Sequence, residues 1–195
     1  MRVLLALALL LGLTPFAIAA AAEVDSKFLS LEEALELAFP KCEVERENVF
    51  LTKEQRAKAE KLAGGQIESR LLLRYTATRK KEGEEPKIAG WAYVDTHKVR
   101  AKRETLLIVV NPDDSIRRLE VLAFAEPREY LPRANWYAQF LGKKLNKDLR
   151  IKRDIKNVSG ATLTAEATTS AVRKVLSVHQ ITLRPDSDQE EKTDK

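Results

Sequence analysis

The stretch Ser159-Gly160-Ala161-Thr162-Leu163-Thr164 combines residue types suited to holding an anion. Its small residues leave the backbone open on one side, and an amphipathic pattern follows from about Ala165. A helix starting there would turn unpaired N–H groups and the positive end of its dipole toward a bound phosphate. The plain alternative is an ordinary helix entry with small residues for close packing. A second candidate is Asp95-Thr96-His97 with Arg100, because an Asp/His pair can move protons near neutral pH. It also reads as a turn after a strand, with His97 exposed. The other histidine, His179, sits at the end of the expected last helix and suits its negative dipole end. A third candidate is the loop Phe124-Ala125-Glu126-Pro127-Arg128-Glu129-Tyr130, in which Glu126 and Tyr130 could line a site.

The elements that position these residues follow from periodicity. Ser30-Leu31-Glu32-Glu33 and Thr52-Lys53-Glu54-Gln55 are capping boxes. The first opens a helix with Leu31, Ala34, Leu35 and Ala38 on one face, ended by Phe39-Pro40. The second opens a helix stopped by Gly64-Gly65. Strands are expected over 70–78, 88–95, 105–110 and 116–124, joined by short turns such as Asn111-Pro112-Asp113-Asp114. A short helix over 135–141 offers Trp136, Phe140 and Leu141 and is closed by Gly142. The last helix, over about 165–179, has Ala171, Val172, Val175 and Leu176 on its apolar side and Glu166 in its first turn. The fold class is therefore α+β: an antiparallel meander flanked by N-terminal and C-terminal helices.

The 195 residues carry a net charge of +5 and one cysteine, Cys42, so no internal disulfide can form. A basic start, an apolar run from Val3 to Leu13, then Pro15 and small residues to Ala22 give the layout of a secretory signal peptide; an uncleaved anchor is the alternative. Export places the mature chain at the periplasm or the outer face of the inner membrane and makes nucleic acid an unsuitable partner. The basic clusters Lys98–Arg103, Lys143-Lys144-Lys147 and Arg150-Lys152-Arg153 read as solvated surface, or as a docking face for an acidic redox partner or anionic lipid. The sequence has no metal-ligand spacing, P-loop or Gly-x-Ser-x-Gly elbow. The end of the chain, 184–195, is almost wholly polar.

With these elements in place, Ser159–Thr164 resembles the flavinylation motif of the FMN-binding domain family, which includes the C subunit of the sodium-pumping NADH:quinone reductase and the G subunit of the Rnf complex. Gly90–Arg100, Ala123–Pro132, Trp136 and Gln139-Phe140 resemble segments of its single-domain exported members. The resemblance spans about Leu31 to His179. It implies FMN as cofactor, esterified through its phosphate to the hydroxyl of Thr162 by a flavin transferase. It also implies cofactor contacts from Ser159, Gly160, Ala161, Leu163, Thr164, Glu126, Tyr130, His97 and Arg100. No residue is assigned a catalytic role, and the partners would be membrane or periplasmic redox proteins. One position departs from the family: Lys156 stands where an Asp usually precedes the Ser by three residues, with Asp154 two residues further back. The resulting division is a signal peptide or anchor over 1–22, an N-terminal helical segment over 23–66, the FMN-binding domain over 67–183 and the polar tail. The expected function is extracytoplasmic electron transfer on bound FMN. The alternatives are an FMN-dependent reductase of small molecules and a flavin-free envelope interaction module.

Overall fold

The computed structural model describes residues 28–184. The expected signal peptide or anchor, and the polar tail from 185 onward, lie outside the described residues. Both capping boxes form. In helix α1 (Leu31–Ala38) the Glu33 N–H donates to Ser30 Oγ and the Ser30 N–H to Glu33 Oε2. Thr52 and Gln55 make the same exchange at the start of α2 (Lys53–Ala63), which ends in a left-handed Gly64 at φ 70°. Each cap satisfies two helix-end donors that would otherwise be orphaned.

Five strands form one antiparallel sheet in sequence order: β1 (Glu43–Phe50), β2 (Leu71–Arg79), β3 (Lys87–Lys98), β4 (Arg103–Val110) and β5 (Ile116–Phe124). The sheet and its meander match the expected fold class, but β1 was not anticipated. Glu43-Val44-Glu45-Arg46-Glu47-Asn48-Val49-Phe50 carries too many charges to read as a strand. It is an edge strand, where charged side chains stay in water and discourage further pairing. Glu47 on it accepts a hydrogen bond from Arg74 on β2 at 2.6 Å. The stretch expected to be helical thus also contributes a strand to the common sheet.

Side-chain alternation along the strands feeds two cores. On one face, Tyr75, Ala77, Ala92, Leu107 and Val109 pack against Ala34, Ala38 and Phe39 of the α1 region. On the other, Trp91, Tyr93, Leu106, Ile108 and Val110 pack with α4 (Thr162–Leu183), with Ala59 of α2 and with Trp136 and Phe140 of α3 (Ala134–Tyr137) and the 3-10 turn that extends it. Strand β4 is covered on both faces, which explains its unbroken apolar run from Leu106 to Val110. Each fully buried Leu or Ile contributes roughly 1.5–3 kcal/mol.

Helix α4 begins three residues before, and ends four after, the expected span. Its buried face continues through Val178, His179 and Ile181, and Glu166 accordingly lies in the second turn. His179 is not a solvated C-terminal residue. It is buried, with Tyr93 Oη 2.8 Å from Nδ1 and Asp114 Oδ1 3.0 Å from Nε2. Arg173 is the polar anchor of α4: its guanidinium donates to the carbonyls of Leu62 and Ala63 at the end of α2 and of Asn146 and Leu149 in the loop before α4. Among the described residues no helix is long and apolar enough to cross a membrane.

Candidate functional site

Three segments far apart in sequence converge at the N-terminus of α4. Gly160 turns the chain at φ +83°, and a Cβ there would meet no atom within 4 Å. Thr162 is the first helical residue. Ala161 is the N-cap, and no side chain caps this helix start. The first-turn N–H groups therefore lack the Ser, Thr or Asp oxygen that usually satisfies them, which leaves an anion-accepting end. Beside it lies a cavity of about 240 Å³ lined by Arg100, Tyr130 and Gly160 to Thr164.

Hydrogen bonds explain why these residues meet. Thr164 Oγ1 donates to the Tyr130 carbonyl at 2.6 Å, tying α4 to the 3-10 turn Arg128–Tyr130. The Arg100 guanidinium lies over the Tyr130 ring, its Cζ 4.4 Å from the ring centre, which brings the β3–β4 turn onto the same wall. That turn is shaped by Glu126, whose Oε1 accepts the backbone N–H groups of Arg100, Ala101 and Lys102 at 3.2, 2.7 and 2.7 Å. Those bonds, led by the one from Lys102, hold the Glu126 carboxyl below its usual pKa.

The Thr162 hydroxyl is lightly held. It donates to the Val158 carbonyl and accepts from Asn157 Nδ2, both at 3.4 Å, near the outer limit for a hydrogen bond. The other residues of the stretch, in and beyond the tetrad Ser159–Thr162, divide. Leu163 is exposed, whereas Ala161 and Thr164 are almost fully buried. Ser159 is exposed and does not line the cavity.

Two other residues read from sequence as cofactor contacts stand behind this lining. Glu126 supports it through the backbone, as above. His97 lies between two carboxylates, with Nδ1 2.9 Å from Asp95 Oδ2 and Nε2 3.0 Å from Glu104 Oε2. Burial opposes its charge, but the hydrogen bonds to Asp95 and Glu104 outweigh burial and raise its pKa to about 9. Lys174 pairs with the other oxygen of Asp95. His97 is therefore a salt-bridged, half-buried imidazolium and not an exposed turn residue.

Sequence reasoning missed the residues that aim the tetrad. Trp136 Nε1 donates to the Lys156 carbonyl at 2.7 Å, and Gln139 Oε1 accepts the Lys156 N–H at 2.8 Å. The ring of Trp136 meets Tyr137 and Phe140 edge-on in the core. Trp136 and Phe140 are thus packing residues. Asp154 accepts from Asn146 Nδ2 at 3.4 Å, while its N–H donates to the Asp148 carbonyl. Glu104, missed as well, was detectable only as a lone acid opening an apolar strand.

A larger groove of about 740 Å³ straddles the edge strand β5, with Leu37 of α1 on one side and Tyr137 and Leu141 on the other. It contains none of the tetrad. The smaller cavity is the candidate anion site, because there a helix start without a side-chain cap meets a cation and an open glycine.

No curated protein matches the chain significantly. The model of the FMN-binding domain family matches residues 101–177, from the turn that carries Arg100 into α4, and so includes Glu126, Tyr130 and the whole tetrad. Residues 101–177 thus match an FMN-binding domain, a match that supports FMN as the cofactor.

Proposed function

We propose that this protein is an extracytoplasmic electron carrier whose FMN is esterified to Thr162. The observation that carries the reading is the placement of the Thr162 hydroxyl. It sits at the first residue of α4, in a cavity shared with Arg100 and an open Gly160.

The residues fit the phosphate end of FMN. The α4 start offers N–H groups, Arg100 offers a cation, and Gly160 leaves room for close approach. At about 240 Å³ the cavity is smaller than the roughly 300–1,000 Å³ of sites that enclose a whole ligand of this size. The ring would therefore remain accessible near exposed Leu163 and half-buried Tyr130, which suits exchange of electrons with a docked protein. Bound FMN supplies one- or two-electron redox chemistry. Esterification forms a Thr162 Oγ–phosphorus bond. It breaks the phosphoanhydride of an activated flavin donor, whose other phosphate half leaves as a phosphomonoester, and the hydroxyl proton leaves to a base of the flavin transferase. A tether of this kind keeps a cofactor from being lost outside the cytoplasm, in line with the N-terminal layout of the sequence.

The reductase alternative needs a proton donor in the cavity. His97 is engaged by Asp95 and Glu104, and Glu126 by three backbone N–H groups, so neither favours it. The test is co-expression with a flavin transferase, followed by flavin fluorescence of the denatured, gel-separated protein. A fluorescent band that disappears in Thr162→Ala and persists in Ser159→Ala is expected. A dark wild-type band, or a bright Thr162→Ala band, overturns covalent attachment at this position.

A further inference from the structure

Glu104 is the second residue of β4 and is fully buried. Both carboxylate oxygens are used. Oε2 accepts from Thr168 Oγ1 at 2.7 Å and lies 3.0 Å from His97 Nε2; Oε1 accepts from Tyr137 Oη at 3.1 Å. A buried carboxylate is costly unless it is paired and fully hydrogen-bonded, and here it is both. The charged groups around it form one row: Lys174 of α4, Asp95 and His97 of β3, and Glu104 of β4. Two cations alternate with two anions. Tyr137 of α3 and Thr168 of α4 complete the shell as neutral donors.

Each partner of Glu104 leads to a different wall of the FMN cavity. His97 is three residues before Arg100, at the end of the strand that enters the β3–β4 turn. Tyr137 belongs to α3, where Trp136 and the following Gln139 grip the backbone of Lys156 just before the tetrad. Thr168 is six residues into α4 from Thr162, about 9 Å along the helix axis. The Thr164 bond to Tyr130 lies between them on the same helix.

We propose that Glu104 is the positioning residue of the FMN site: one carboxylate that fixes the β3–β4 turn, α3 and the start of α4 against one another without touching the cofactor. The proposal rests on the reading that FMN sits at the tetrad. His97 is the cationic half of the clamp. Loss of its proton would leave the ring one N–H for two carboxylates, so its contact with Asp95 or with Glu104 would lose the donor and release the turn that carries Arg100.

The experiment titrates free FMN into protein made without flavin transferase, from pH 6 to pH 10, and follows the His97 ring protons by NMR in the same samples. Wild-type affinity is expected to hold to about pH 8 and to fall as His97 loses its proton near 9. In Glu104→Gln the His97 titration moves to lower pH, the fall in affinity moves with it, and affinity at pH 7 drops about tenfold, the size of one lost charge-assisted bond. Thr168→Val removes only the α4 arm, so it weakens FMN binding and leaves the His97 titration in place. A folded Glu104→Gln protein with wild-type affinity and pH profile overturns the proposal. If that variant does not fold, unchanged FMN affinity in Thr168→Val overturns it. Gly160→Val separates the two ideas: if it leaves wild-type affinity intact, the cofactor lies elsewhere and the reading of the site is what fails.

Discussion

Trp136 Nε1 donates to the backbone carbonyl of Lys156 at 2.7 Å, while Gln139 takes the N–H of the same residue. The chain is thus gripped three residues before Ser159, and the grip acts on the backbone. This bears on a place where the sequence departs from the motif it resembles. Lys156 brings an exposed cationic side chain to a position whose backbone is set by α3. The tetrad keeps its geometry whatever side chain stands at 156. What an acid there would do for a transferase is a separate matter of surface charge.

That relationship gives the first prediction. Trp136→Phe removes the donor, leaves the Lys156 carbonyl without this partner and opens space in the core. Stability should fall by about 2–4 kcal/mol, from the lost bond and the lost packing together. Urea denaturation measures this. FMN uptake should fall in parallel, because the segment that aims Thr162 loosens. Lys156→Asp, which leaves the backbone bonds in place, should keep wild-type stability to within about 0.5 kcal/mol.

Gly160 and Gly83 form a matched pair. Both have positive φ, +83° and +75°, and at both a Cβ would meet nothing within 4 Å. Replacement by Ala should cost each about 1 kcal/mol of backbone strain and no clash. Gly83 lies in the β2–β3 turn, whereas Gly160 borders the cavity. Equal losses of stability are therefore expected, with FMN binding impaired only in Gly160→Ala. Impairment in both would show that stability, and not access of the phosphate, controls the site.

Glu126 allows the β3–β4 turn to be tested alone. Glu126→Ala frees the N–H groups of Arg100, Ala101 and Lys102. Their hydrogen–deuterium exchange should accelerate, while amides in the middle of β4 remain protected. The folded carboxyl has a lowered pKa, so its contribution is present above the unfolded value of about 4.5 and is lost as pH falls through the folded one. The wild-type turn should accordingly show faster exchange in acid, and Glu126→Ala should remove that dependence.

The sequence made the local features of this protein readable and left the long-range ones hidden. Capping boxes, turns and the meander depend on neighbours within a few residues, and Ser30, Thr52 and Gly64 act as their types suggest. The tetrad was legible for the same reason, because small residues before an amphipathic run mark an open helix entry. Strand β1 was hidden because its partner β2 supplies the burial and half of its own residues are charged. The role of Glu104 was hidden because its donors lie 7, 33 and 64 residues away. His97 looked exposed for the same reason: nothing beside it in sequence shows that Glu104 closes over the ring.

The two histidines set opposite limits on stability. His97 has a folded pKa of about 9, above the unfolded 6.5: burial opposes the charge, but the hydrogen bonds to Asp95 and Glu104 outweigh it. Its contribution is complete below pH 6.5 and is lost as pH rises through 9; the shift corresponds to on the order of 3 kcal/mol. His179 is shifted the other way. Burial lowers its pKa against the pull of Asp114, so it is stable as the neutral ring. Its contribution is present above pH 6.5 and is lost as acid forces a charge into the core. Asp95 adds to the acid limb. Burial works to raise it, but bonds from His97 and Lys174 leave it lowered, so protonating it also costs stability. The urea midpoint should therefore peak near neutral pH and decline on both sides. His97→Gln should flatten the alkaline limb at a lower overall stability, because it leaves two buried carboxylates with one cation. His179→Gln should shrink the acid limb and leave the alkaline one unchanged. An alkaline limb that persists in His97→Gln would assign it to another group, and with it the pH dependence expected for the FMN site.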